Sequence, residues 1–77
     1  MSKILTFETD SQNKCLEIHT NKEGLKELID HLTFLYDQNK RDHDHLMTPS
    51  WGGEELSEDK QNFDSIIFNH VKIIYWD

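Results

Sequence analysis

The sequence predicts an α+β domain, an antiparallel sheet of about four strands with one helix packed on one face, in the order ββαββ. Three observations predict it. β-prone runs lie near the N-terminus, at Lys3 to Glu8 and Cys15 to Thr20. Between Leu25 and Tyr36 the apolar residues recur at helical spacing. The chain then closes on its longest β-prone run, Ser65 to Trp76.

Taken in order, Lys3 to Glu8 places Ile4 and Thr6 on one strand face and Leu5 and Phe7 on the other. Asp10 to Lys14 is a cluster of turn formers. Cys15 to Thr20 alternates, with Leu16 and Ile18 on one face and Cys15, Glu17 and His19 on the other. That is the pattern of a half-buried antiparallel strand, and the two runs make a first hairpin.

Thr20-x-x-Glu23 matches a capping box, in which each side chain satisfies a backbone N–H at a helix start. Leu25, Leu28, Ile29, Leu32, Leu35 and Tyr36 then form one apolar stripe, with Phe34 towards its edge. Gly24 reads as a weak point, costing about 1 kcal/mol relative to Ala. The helix is expected to end near Asp37 to Lys40, with Asn39 as a left-handed terminal residue.

Asp42 to Thr48 has the length of a short strand, stopped by Pro49. Pro49 to Phe63 is turn-rich at first and then acidic. Asn69-His70 interrupts the last run as a bulge or a tight turn, and one bent strand is expected because the flanking pieces are short. The sheet face away from the helix carries enough Ile, Phe, Tyr and Trp to call for a cover, and a homodimer through edge strands would supply one.

Seventy-seven residues make one domain, residues 1–77, with no room for a second core. Cys15 is the single cysteine, so no intrachain disulfide forms and a reducing compartment is expected. The N-terminal residues lack the apolar run of a signal peptide, and no segment is apolar enough to span a membrane. These features point to the cytoplasm. Fifteen acids against eight bases give a net charge of −7, which repels phosphate backbones and disfavours nucleic acid. The same charge favours a basic partner.

No catalytic constellation emerges. Cys15 lies in a regular strand, where a thiol reads as a small core residue and not an activated thiolate, and no nucleophile motif frames Ser50. The acid pairs Glu54-Glu55 and Glu58-Asp59 suit a solvated face. His43-x-His45 is the sharpest metal signal, since residues two apart on a strand face the same way. Asp42, His19 or His70 would have to complete that site, and no further motif supports it. No cofactor is implied. Trp51-Gly52-Gly53 puts an indole on a turn with unusual backbone freedom, where it either caps its own core or anchors a partner.

The run from His43 through Leu46-Met47-Thr48-Pro49-Ser50-Trp51-Gly52-Gly53-Glu54-Glu55-Leu56-Ser57 resembles the signature of immunity protein family 32 of bacterial polymorphic toxin systems. Its recurrent elements are H-L-M/F-T, then Trp-Gly-Gly, then E-L, here carried by His45, Thr48, Gly52, Gly53 and Leu56 among others. Asn69 to Ile73 is similar to that family's closing strand. The resemblance implies a non-enzymatic protein that binds and neutralises a cognate toxin. Trp51, Glu54, Glu55, Glu58 and Asp59 are then the expected partner-facing residues, with His43, His45, Thr48, Pro49, Gly52, Gly53 and Leu56 shaping the motif.

Overall fold

The structure, a computed structural model, describes residues 2–77. Its elements are β1 (Leu5–Thr9), β2 (Leu16–Thr20), α1 (Lys22–Tyr36), β3 (Asp42–Met47), a 3-10 turn (Pro49–Trp51), β4 (Ile66–Ile67) and β5 (His70–Tyr75). The class is α+β with one helix and antiparallel pairing among the described residues. The described residues form five strands in two sheets, β2-β1-β4 and β3-β5, where one sheet of about four was expected.

The extra division falls at Phe68-Asn69. Phe68 N–H donates to the Phe7 carbonyl at 2.9 Å, while the Asn69 carbonyl accepts from Thr48 N–H at 3.0 Å. Consecutive residues thus serve different sheets. The run Ser65 to Trp76 is therefore two strands, one pairing with β1 and the other with β3, and not one bent strand. At the other end Leu56 and Ser57 make a second bridge, donating to the Met47 and Leu5 carbonyls at 3.2 and 2.9 Å.

The core lies between the sheets and the helix. Leu5, Phe7, Leu46 and Leu56 are buried there, with Leu28, Val71 and Ile73 packed around them. Leu56 is a core residue of the motif, which explains why a loop carries a leucine at that position.

Asn21, and not the Thr20–Glu23 box, caps α1: its Oδ1 accepts from Gly24 N–H at 2.9 Å. Thr20 is still in β2, opposite Leu5, and so is unavailable as a cap. The same Asn21 oxygen accepts from Ile4 N–H at 2.9 Å, fastening the helix start to the chain entering β1. Gly24 is buried beside that backbone, and a methyl group there would collide with the Ile4 carbonyl. The supposed weak point is a close approach that only glycine permits. At the C-terminus Asp37 caps in the right-handed region; the left-handed asparagine is Asn13, in the β1–β2 turn, and not Asn39.

Only part of the predicted helix stripe reaches the core. Leu28 and Leu35 do, whereas Leu25, Ile29, Leu32 and Tyr36 are exposed. Leu16 and Ile18 of β2 are also exposed, although their alternation predicted a half-buried face. A three-stranded sheet with a two-residue edge strand is too narrow to use all the apolar surface the sequence offers. Cys15 lies outside β2 and is exposed, which corrects its reading as a core residue.

The opposite face of β1 is covered by the loop between Ser57 and Ser65. Its anchor is Glu8, whose side chain is fully buried. Glu8 accepts from Thr6 Oγ1 at 2.5 Å, Gln61 N–H at 2.9 Å, Asn62 N–H at 3.1 Å and the Ser65 hydroxyl. Burial pushes its carboxyl up, but these bonds outweigh that effect and bring it down to about 2. No described helix is long and apolar enough to cross a membrane.

Candidate functional site

The alternation Asp42-His43-Asp44-His45-Leu46 sorts β3 into two faces. Leu46 is buried and Asp44 half-buried, turned towards α1, while His43 and His45 are exposed on the outer face. On the helix side Asp44 meets His31 of α1, Nδ1 to Oδ2 at 2.5 Å. Met47 pairs with His70 of β5, and His45 with Lys72, so His70 falls diagonally beside His45 on the same outer face.

The three histidines form a continuous surface. His45 Nδ1 and His70 Nε2 are 2.8 Å apart, and the His43 ring stands edge-on to His45 at 4.9 Å. His45 is held below the ordinary histidine range by desolvation first and then by His43, His70 and Lys72. An uncharged His45 at neutral pH follows. Of the residues considered for completing a metal site, only His70 joins the pair. Asp42 accepts from the His43 backbone N–H, and His19 sits on β2, 2.9 Å from Glu17. Among the described residues no group of three or more His, Cys, Asp or Glu is arranged to hold a metal ion.

Trp51 continues this surface, its ring 6.2 Å from that of His70. The indole is 58% exposed, so it does not fold back into the core. Its turn is tightly fixed from below. Thr48 is fully buried, its hydroxyl donating to Asn69 Oδ1 at 2.9 Å. The Thr48 carbonyl accepts from both Trp51 N–H, at 2.9 Å, and Gly53 N–H, at 3.1 Å. Pro49 opens the 3-10 turn with its preset backbone angle, and Gly52 closes it at φ 89°. A side chain at Gly53 would come within 2.5 Å of the Met47 carbonyl and 2.8 Å of Glu55 Oε1. Each small or stiff residue of the motif therefore has a local backbone reason to be there.

The four acids expected to face a partner divide into two pairs. Glu55 is half-buried and accepts from Met47 N–H at 3.0 Å. Glu58 is exposed, yet it accepts from Ser50 N–H, bracing the start of the 3-10 turn, and the Ser50 hydroxyl and backbone hold its carboxyl below the usual range. These two act inward on the turn. Glu54 and Asp59 are exposed, and among the described residues neither carboxylate has a hydrogen bond or ion pair.

The sequence reads the aromatics of the last run, Trp76 included, as core or dimer contacts; in the structure Lys72 and Ile74 follow His70 along one side of β5, and Trp76, just past its end, is exposed. The Arg41 guanidinium lies over the Trp76 ring at 4.2 Å. Pairing of β3 with β5 was the missing information, because it alone brings Arg41 beside Trp76. The face thus combines two exposed tryptophans, three histidines and two bases on a chain of net charge −7.

No curated protein and no solved structure matches the chain. The profile of the family Immunity protein 32 matches residues 16–71, from the start of β2 to within β5, and so spans the histidines, the Trp-Gly-Gly turn and both pairs of acids. The chain belongs to the Immunity protein 32 family.

Proposed function

We propose that this protein binds a cognate bacterial toxin and neutralises it by occupying its surface, without catalysis. The observation that carries the reading is Trp51: a large indole, 58% exposed, on a turn that its own backbone bonds hold rigid. An anchor ordered before binding loses little conformational entropy on contact, and tryptophan is the residue most enriched at energetic hot spots. Family membership supplies the kind of partner.

Glu54 and Asp59 give the contact its charge, and a basic toxin is the partner they fit. Glu55 and Glu58 contribute by fixing the turn. The protein acts in the cytoplasm of the cell that makes it, where it meets the toxin before damage is done. Homodimerisation is compatible with this reading, since β2 and α1 offer a separate surface for it.

Co-expression tests the proposal. A toxin domain from a neighbouring reading frame, expressed alone, should arrest growth, and the intact protein should restore it and co-purify with that domain. Restored growth without a complex would contradict neutralisation by binding.

A further inference from the structure

Leu25, Ile29, Leu32 and Tyr36 recur at i, i+4, i+7 and i+11, one straight stripe along α1. They are 44, 48, 47 and 84% exposed. On the helical wheel this stripe lies across Leu28 and Leu35 from Glu27 and His31. Glu27 and His31 look towards Lys3 and Asp44, the side of β3. The stripe therefore overlooks β2, where Leu16 and Ile18 are 58 and 47% exposed. Six exposed large apolar side chains thus lie towards one side of the molecule, and grouped apolar surface of this kind marks an interaction site.

β2 is also an unpaired edge, since β1 is its one neighbour in the sheet. Exposed edges are templates for strand addition unless blunted by charge, proline or a bulge. β2, Leu-Glu-Ile-His-Thr, has no proline and no lysine.

We propose that this face docks a second copy of the chain, with β2 pairing antiparallel to β2 about a two-fold axis at Ile18. The strand is self-complementary in that register. Ile18 faces its own copy, Leu16 faces Thr20 of the second copy, and Glu17 faces the second copy's His19. The apolar face stays apolar, and on the polar face the Glu17–His19 pair inside each strand exchanges for two acid–histidine pairs across the strands. The two three-stranded sheets become one of six strands, and the stripes of the two helices close over the junction.

Charge also favours a copy over a basic partner here. From Lys14 to Tyr36 there are three lysines and four acids, with Lys26 paired to Asp30 at 2.5 Å. The acid excess lies mainly elsewhere, with eight acids between Asp37 and Asp64 against three bases. The β2–α1 face is near neutral, so two copies approach it without strong repulsion.

The surface is distinct from the Trp51 face, and its test involves no toxin. Sedimentation velocity of the full chain should give twice the 9.2 kDa monomer mass. Ile29→Glu with Leu32→Glu, both on the exposed stripe, should raise the dimer Kd by about tenfold or more and leave circular dichroism unchanged. Ile18→Cys in a Cys15→Ser background should cross-link under mild oxidation much faster than Leu16→Cys in the same background, because only Ile18 meets itself. A monomeric wild type, or equal cross-linking at the two positions, would overturn the proposal.

Discussion

His31 and Asp44 tie the helix to the second sheet: the imidazole Nδ1 lies 2.5 Å from the carboxylate Oδ2. Glu27, one turn earlier on α1, holds the other nitrogen at 2.7 Å. Burial works against the imidazolium, but the carboxylates of Asp44 and Glu27 outweigh it and raise the His31 pKa above 6.5. A raised histidine contributes stability that is full below its ordinary pKa and fades as pH climbs through the folded value. Thermal melts should therefore show stability falling as pH rises above 6.5. His31→Gln should flatten that fall and cost about 1–2 kcal/mol at pH 6.

Glu8 gives the opposite dependence. Its carboxyl falls from the ordinary 4.5 to about 2, so its contribution is full above 4.5 and disappears as pH drops towards 2. The shift corresponds to roughly 3 kcal/mol. Glu8→Gln should remove about that much at pH 7, because the donors of Gln61, Asn62, Thr6 and Ser65 would then face a neutral amide. Urea titrations at pH 7 and pH 3 measure both effects. The difference between wild type and variant should shrink at the lower pH.

Gly24→Ala separates propensity from packing. In a bare helix the change would stabilise by about 1 kcal/mol. Here the new methyl group meets the Ile4 carbonyl, so the variant should lose about 1–3 kcal/mol and melt lower.

That reversal marks where the sequence stops being legible. Helix existence, the first hairpin and the α+β class follow from periodicities of two and 3.6, and β1, β2 and α1 appear where those periods lie. Local pattern does not encode which strand pairs with which. Ser65 to Trp76 therefore reads as one strand, although Phe68 and Asn69 bond to different sheets. Burial is equally non-local: Glu8 has the look of an exposed strand acid, and only the distant Gln61–Ser65 loop buries it. The site was half visible. The Trp-Gly-Gly turn and the shared face of His43 and His45 follow from sequence, whereas the outward direction of that face comes from the fold and His70 and Arg41 join it through β3–β5 pairing.

The two kinds of acid should separate in binding kinetics. Glu54→Lys with Asp59→Lys should slow association with a basic toxin by about tenfold and weaken its salt dependence, leaving stability unchanged. Glu55→Gln should instead lower stability, since its carboxylate receives the Met47 N–H inside the turn. Stopped-flow association together with thermal melts distinguishes the two outcomes.

The central claim is that Trp51 anchors a toxin. Calorimetric titration of the cognate toxin domain into wild type and Trp51→Ala measures it directly. Tight binding is expected for the wild type, with a loss of at least about 2 kcal/mol in the variant, roughly thirtyfold in Kd, at an unchanged melting temperature. Equal affinity of the two proteins would contradict it.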